Sequence, residues 1–557
     1  MQQRRVSSAV SLRAWLAACF VVLGALRIIA TSDQLSETVD EVAHIGAGME
    51  WLAQGRYTFE VQHPPLARIA AAAGPYLLGI REQNQLNAWD EGRRILYADN
   101  AYLRNLTAAR LGILPFFFLA AFFVWRIARD IFGPNAALGA VACFTAVPPV
   151  LAHFGVATTD GPFVAMFAAA VYAFLRWFAT PTIASGLGVG VATGLALTTK
   201  LSALPYLGVT FLLIAAARVW SARDAWRASD GTFGGELLQT RPWSWRRAAA
   251  SLVVAALAAF LVAWATYRFS IGTIRGIPVP APEIPKGMRD VASHNKYGHP
   301  AYFLGQVRSH GVWYFFPVML ALKTPLAVLG LALAGFVVMA RRAWHASAWA
   351  PWIPFIIMIA ILGIGMTANI NIGVRHVLPV YIALAVATGV AWEWAWRRWP
   401  AWRSRAVLVS ATAVLSVGTA TIHPDYLSYF NVLAGTDPSR LVADSDLDWG
   451  QDMLRLARVA REQSVDTLRF AHISTGDLSP IIGVPVVFWD GTGRPSGWIA
   501  VGETWYRRGQ IAFRRGRYEL RPYALHWLDS VATPTRVGKG IRLYRVPADA
   551  APAPERR

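Results

Sequence analysis

About eleven stretches of this chain are mainly apolar and roughly 20 residues long, and few folds accommodate such stretches. At about 1.5 Å per residue, one stretch crosses a hydrocarbon core of about 30 Å as a single helix. In lipid, only a helix or a closed barrel satisfies its own backbone hydrogen bonds. The spans read as 12–30, 107–128, 136–153, 161–179, 183–200, 202–219, 248–267, 317–340, 351–367, 377–396 and 406–422. The composition agrees: 55% of the 557 residues are hydrophobic, with 24 Trp and 27 Phe, which is too apolar for a soluble globular protein. The expected fold is a polytopic α-helical membrane protein with about 11 transmembrane helices.

Lys and Arg number 53 against 33 Asp and Glu, and a net charge of +20 could suit nucleic acid or an anionic membrane. Its distribution argues against nucleic acid, because much of the excess falls in short clusters between apolar runs. These are Arg4 and Arg5, Arg126 and Arg129, Arg176, the run 218–247, Arg341 and Arg342, and 397–405. All lie on one side of the span plan, which the positive-inside rule makes cytoplasmic. The N-terminus is then cytoplasmic, and 31–106, 268–316 and the tail from about 423 lie outside. Trp125, Trp220 and Trp396 near span ends fit the interfacial belt. Cys19 and Cys143 both sit in apolar segments, so neither a disulfide framework nor a cysteine metal site is expected. Leu16-Ala17-Ala18-Cys19 mimics a lipoprotein box, but the apolar run after Arg13 is too short and hydrophobicity continues to Ala30, so the first span reads as uncleaved.

The first outer loop, 31–106, has amphipathic patterns around 42–53 and 66–79, which predict helices lying along the membrane surface. The tail loses the long apolar runs and shows β-rich pieces at 468–473, 484–489 and 541–546, with a helix over 449–462. A transmembrane domain over 1–422 and a small extracytoplasmic α/β domain over 423–557 follow, the latter ending in a frayed Ala/Pro tail at 548–557. No internal repeat is visible, and neither GxxxxGK[ST] nor GxGxxG occurs in a strand-to-helix context, which argues against an ATP-driven pump.

Asp40 and Glu41 follow the first span at its outer end. An adjacent acidic pair is usually just solvated. These two open an apolar stretch at headgroup level, where a partly desolvated carboxylate becomes more basic and can act as a general base. Glu41 equally suits a capping or ion-pairing role in the surface helix. Asp160 lies at the outer mouth between spans three and four, where Gly161-Pro162 would also make it a helix N-cap. Lys200 and Lys323 sit within or at the edge of apolar segments, where a cation is costly and points to function. Arg268, just beyond span seven, and Arg375-His376, before span ten, reach the same interface; snorkelling is the alternative for each cation.

Several motifs carry a family resemblance. Asp40-Glu41 is followed in the same loop by Gly55-Arg56-Tyr57 and Gln62-His63-Pro64-Pro65-Leu66-Ala67-Arg68. Further along come Ala157-Thr158-Thr159-Asp160, Leu197-Thr198-Thr199-Lys200, His299-Pro300-Ala301-Tyr302, Leu322-Lys323-Thr324-Pro325 and Asn371-Ile372-Gly373-Val374-Arg375-His376. The tail adds Tyr429-Phe430-Asn431 and Asp446-Leu447-Asp448-Trp449-Gly450-Gln451-Asp452. In order and placement the set resembles the bacterial branch of the protein O-mannosyltransferase and aminoarabinose-transferase superfamily, glycosyltransferases of the GT-C fold.

The resemblance implies an inverting transfer of a sugar from a polyprenyl-phosphate donor, at a bacterial inner membrane, to a protein, lipid or glycan hydroxyl. Asp40 would take the proton, with Glu41 and Asp160 as further acids. Lys200 and Arg268 would bind the donor phosphate, Arg375 and His376 would support phosphate or sugar, and Lys323 and His63 would complete the substrate site. No metal is assigned. His44, His63, His294, His299 and His376 could hold a divalent cation with a carboxylate, but their spacing has no ligand signature, and Gln62 stands where related chains often carry an acid. Asp444, Asp446, Asp448 and Asp452 read either as a cation or acceptor site or as a solvated loop and helix start. The rival function is a transporter or flippase, which would place its key charges near the bilayer midplane and usually shows inverted repeats. A membrane-anchored binding protein, the third reading, leaves the outer acids unexplained.

Overall fold

The computed structural model describes residues 2–224, 244–346, 349–399, 402, 406, 410, 417–473, 478–514, 517–521 and 525–550. The chain begins with α1 (Gln2–Ile29), and the first loop folds into α2 (Val39–Gln54), α3 (Pro65–Leu77) and α4 (Ala88–Tyr97). Next come α5 (Tyr102–Leu111), α6 (Leu114–Phe132), α7 (Pro134–Phe144), α8 (Pro148–Phe154), α9 (Asp160–Ala179), α10 (Ile183–Leu197), α11 (Ala203–Asp224) and α12 (Trp245–Thr266). The second loop holds the hairpin β1 (Ile271–Ile274) and β2 (Ile277–Pro280), then α13 (Glu283–Tyr297), β3 (Ala301–Phe303) and β4 (Gln306–Arg308). The bundle resumes with α14 (Phe315–Lys323), α15 (Leu326–Ala346), α16 (Ile353–Gly365) and α17 (Val380–Arg398).

The protein is a multi-pass membrane protein. Among the described residues six helices are long and apolar enough to cross a membrane: Leu12–Ile29, Tyr102–Phe132, Asp160–Ala179, Ala203–Trp220, Trp245–Thr266 and Leu326–Trp344. The pair α7 and α8, bent by 67°, is a seventh if counted as one span. The expected stretches are helical where described, but several are interrupted. The stretch 317–340 breaks between α14 and α15 at Thr324-Pro325, because proline has no N–H to donate and disfavours helix in the residue before it. The stretch 406–422 lies mostly outside the described residues, as does most of 548–557.

Two helices form the centre of the bundle. Residues 160–171 of α9 and 380–391 of α17 are buried on every face, and α17 packs against both α7 and α15. A helix apolar all round has to be surrounded by others, and these two meet that condition. Their N-terminal ends carry Asp160 and the turn with Arg375 and His376.

α2 differs from the sequence expectation. It is not laid on the surface with one face free: Glu41 through Glu50 are all buried under α3 and α4. Glycines permit this, since a Cβ on Gly48 would lie 2.0 Å from the carbonyl oxygen of Arg68 on α3. The Thr38 N–H donates to Glu41 Oε2 at 2.8 Å and fixes where α2 starts.

The tail contains β5 (Val442–Ala443), a helix at Met453–Glu462, β6 (Leu468–Ala471), β7 (Val486–Phe488), β8 (Gly497–Gly502), the hairpin β9 (Gln510–Arg514) and β10 (Arg517–Arg521), then β11 (Thr535–Val537) and β12 (Ile541–Val546). Five strands form one sheet in the order β11-β12-β8-β6-β7, with β6 parallel to both β7 and β8. Residue alternation buries both faces: Leu468, Phe470 and Leu543 pack against Met453 and Leu456, while Ile499, Val501 and Tyr544 pack against Tyr506 and Leu528. The tail is tied to the second loop by β5, which pairs with β3 at Tyr302 and Ala443.

Gly48→Ala should separate α2 from α3 and destabilise the protein by about 1–3 kcal/mol, the usual range for overpacking. Thermal unfolding of the detergent-solubilised variant checks this, and an unchanged midpoint would show that the helices do not meet there.

Candidate functional site

A cavity of about 470 Å³ opens where the N-terminal ends of α2 and α9, the α10–α11 turn and the turn before α17 meet the tail. Four charged side chains form a chain of alternating sign along it. Asp40 Oδ2 accepts from Arg375 Nη1 at 2.6 Å, Arg375 Nη1 stands 4.0 Å from Asp160 Oδ2, and Lys200 Nζ donates to Asp160 Oδ1 at 2.6 Å. Side-chain exposure separates the two acids: 31% for Asp40 against 3% for Asp160. Each position has a local cause. Lys200 lies in the turn between α10 and α11, Asp160 is the first residue of α9, and Asp40 lies in the first turn of α2. Arg375 follows Gly373, whose φ of +90° suits glycine and where a Cβ would lie 2.8 Å from Asp446 Oδ1.

Histidines line the same cavity. His376 has a buried Nε2 with no hydrogen-bond partner among the described residues, and its carbonyl accepts from Tyr206 Oη at 3.0 Å. Burial, and then the charges of Lys200 and Arg375, hold its imidazole well below the usual range. Burial pushes His63 down to about 4. The His44 and His63 rings meet edge to face at 5.2 Å, and His44 Nδ1 accepts from Arg68 Nε at 3.0 Å, so His44 is neutral with its proton on Nε2. Arg68, wholly buried, also pairs with Glu60 and donates to Tyr57 Oη at 2.9 Å.

Of the nine residues singled out from the sequence, Asp40, Asp160, Lys200, Arg375, His376 and His63 line this cavity. Three do not. Glu41 is fully buried and bound to Arg110 through two 2.8 Å contacts, and it also accepts from Ala157 N at 2.7 Å; it is the ion-pairing carboxylate of the α2 start. Arg268 lies over the Trp51 ring at 4.1 Å and donates to the Trp51 carbonyl at 3.0 Å. Trp51 is eleven residues beyond Asp40 on α2, roughly 16 Å along the helix, so Arg268 sits at the far end from the acid. Lys323 donates to the carbonyls of Leu427 and Asp446 at 2.6 and 3.0 Å and lies 4.4 Å over the Phe430 ring, so its charge holds the tail.

The four tail aspartates are not solvated. Asp444, Asp446, Asp448 and Asp452 are at most 4% exposed. Each accepts from the backbone: Asp446 Oδ2 from Val374 N, Asp448 Oδ2 from Thr504 N, Asp452 Oδ2 from Gly540 N, and Asp444 Oδ1 from Asp446 N. Burial pushes Asp448 up to about 7; for Asp444, also raised to about 7, burial is followed by the neighbouring charge of Asp446. Among the described residues no three His, Cys, Asp or Glu side chains are grouped to hold a metal ion.

Sequence reasoning did not single out the cavity's far wall. Trp449 lies 4.2 Å under the Arg375 guanidinium, and Thr504, Trp505 and Arg508 come from the short helix Glu503–Arg508. Trp449 carried a weak signal, as the one aromatic inside the Asp446–Asp452 motif. The other three carried none.

Residues 103–229 match the family model described as dolichyl-phosphate-mannose-protein mannosyltransferase. Among solved structures the chain is similar to ArnT from Cupriavidus metallidurans bound to undecaprenyl phosphate, with a TM-score of 0.52, 15% identity, and coverage of 97% of this chain and 99% of that one. The apo form of the same protein gives 0.49 at 16% identity, covering 98% and 100%. The Saccharomyces cerevisiae protein O-mannosyltransferase Pmt1-Pmt2 complex bound to the sugar donor gives 0.33 at 19%, covering 46% and 33%. No curated protein sequence matches significantly. The fold is GT-C, related to that of ArnT over the whole length, as the motifs implied.

Two outcomes follow. Glu41→Ala leaves Arg110 as an unpaired buried charge and should cost about 3–5 kcal/mol, visible as a lower unfolding midpoint; an unaltered midpoint would contradict the structural role. Asp448 has its folded pKa above its unfolded value, so its contribution is greatest in acid and is lost as pH rises through about 7. Asp448→Asn escapes that loss. The variant's midpoint should therefore gain on the parent's between about pH 4 and pH 7 and run parallel above, whereas a pH-independent gap would disprove the buried-charge account.

Proposed function

We propose that this chain is a glycosyltransferase that moves a sugar from a polyprenyl-phosphate carrier to an acceptor hydroxyl, with inversion at the anomeric carbon. In this reading residues 1–422 form the transferase domain and 423–557 an extracytoplasmic domain, the N-terminus is cytoplasmic, and the membrane is a bacterial inner membrane. The observation that supports it is the ion chain Asp40–Arg375–Asp160–Lys200 inside one cavity. Two cations and the N-terminal ends of α2 and α9 make the cavity suited to an anionic group such as a lipid phosphate. The match of 103–229 to a family named for a lipid-phosphate sugar donor, and the undecaprenyl phosphate bound to ArnT, favour that donor class.

The proposed step is a single displacement. The acceptor oxygen forms a bond to the anomeric carbon as the bond from that carbon to the phosphate oxygen breaks, and the acceptor proton passes to Asp40. The two carboxylates suit different tasks. Asp160 is buried, with Lys200 on one oxygen and Arg375 near the other, and serves to hold the cations. Asp40 is the more exposed and among the described residues pairs with an arginine shared with Asp160, so it is the acid an acceptor hydroxyl can reach. Lys200 and Arg375 stabilise the charge developing on the phosphate, and His376 Nε2 is available to the sugar or phosphate.

In a membrane-fraction assay with radiolabelled polyprenyl-phosphate hexoses and pentoses, Asp40→Asn should lower transfer by about 10²- to 10⁴-fold, the usual contribution of a general base. Transfer equal to that of the parent would remove Asp40 from the reaction.

A further inference from the structure

The tail segment 444–452 touches both ends of the Asp40–Arg375 pair. The Trp449 carbonyl accepts from Val39 N at 3.0 Å, one residue before Asp40, while Ser36 donates its N–H to the Gln451 carbonyl at 3.1 Å and its hydroxyl to the Gly450 carbonyl at 2.8 Å. On the other side Asp446 Oδ2 accepts from Val374 N at 2.7 Å, and Ser445 Oγ donates to the Ile372 carbonyl at 2.9 Å. The segment thus grips the backbone immediately before each of the two residues. It is anchored in turn to the segments flanking the tail sheet, since Asp448 accepts from Thr504 N at 3.0 Å, just after β8, and Asp452 from Gly540 N at 2.9 Å, just before β12.

Backbone contacts fix where Arg375 starts but not where its long side chain points. Arg375 Nε donates to the Ile372 carbonyl at 3.3 Å, a weak bond, and the guanidinium has to stay edge-on to two carboxylates at once. Trp449 supplies what is missing. Its ring is 3% exposed and lies 4.2 Å from the guanidinium carbon, covering the weakly hydrated face while leaving the N–H edge free for the acids. The same ring is 6.2 Å from that of His153, so α8 flanks it as well.

We propose that Trp449 is a positioning residue: acting through the Arg375 guanidinium, it lets the tail align the ion chain of the membrane bundle. This rests on the reading of Arg375 as a phosphate-binding residue. Trp449 touches no reacting atom in this account, and its effect passes through Arg375 alone.

A double-mutant cycle tests it. Binding of a short-chain polyprenyl phosphate to the full-length detergent-solubilised protein is measured for the parent, Trp449→Leu, Arg375→Ala and the double variant. Trp449→Leu should weaken binding by roughly tenfold to thirtyfold in the parent, the range of a desolvated cation–π contact, and by less than twofold in the Arg375→Ala background. Trp449→Phe, which keeps a ring face, should recover most of the affinity. Equal losses in both backgrounds, or a Phe variant as weak as the Leu variant, would overturn the inference, since a packing role alone produces either result. Arg375→Ala binding as tightly as the parent would instead defeat the reading of Arg375, and the inference with it. Weakened binding by Arg375→Ala with none by Trp449→Leu would defeat the inference alone.

Discussion

A carboxylate as deeply buried as that of Asp160 is tolerated only if its charge is balanced on the spot, because removing an ion from water costs several kcal/mol even after the protein relaxes. Lys200 at 2.6 Å and Arg375 at 4.0 Å supply the balance. That requirement dictates geometry well beyond the pair. It brings the start of α9, the break between α10 and α11 and the turn before α17 to one point, although these segments are up to 215 residues apart in the chain, from Asp160 to Arg375. It also explains why Lys200 lies in a turn and not within a helix: a turn lets the ammonium reach into the bundle from its end.

The tail obeys the same rule with different partners. Lys323 ends α14 next to a proline break, and its ammonium is taken up by two tail carbonyls and the face of Phe430. The tail's own buried acids are stitched to backbone N–H groups, including Val374 in the bundle and Thr504 and Gly540 in the sheet region. The cavity wall is therefore continuous from the membrane helices into the tail. A hinge between the two would have to break hydrogen bonds to buried carboxylates, which are among the stronger ones available.

This logic also marks what was legible in the sequence. A charge in or beside an apolar segment announces that it must be paired, so Asp160, Lys200 and Arg375 stood out before any coordinates. The rule does not say with what. Glu41, Arg268 and Lys323 met it equally well, yet they are satisfied by Arg110, by Trp51 and by tail carbonyls. Period-3.6 patterns located α2 and α3, but burial of α2 under its neighbours depends on close approaches at Gly48 against α3 and at Gly46 and Gly92 between α2 and α4, single residues that set no pattern. In the tail, apolar β-rich runs revealed β6, β7 and β12, whereas β8, rich in glycine and small residues, was invisible until paired with β6. Trp449, Trp505 and Arg508 reach the cavity only through tertiary packing, and spacing along the chain carries no such information.

In the proposed transfer the sharing of Arg375 between two acids has a further consequence. Asp160 keeps Lys200 whether or not Arg375 turns toward a phosphate, so it stays fixed. Asp40 has Arg375 against it and is the more exposed of the two acids, so an anion that draws the guanidinium toward itself frees the carboxylate oxygen for an acceptor hydroxyl. One arginine held between unequal partners, and steadied by a ring from the tail, thus links the position of the donor phosphate to the access of the acceptor to Asp40.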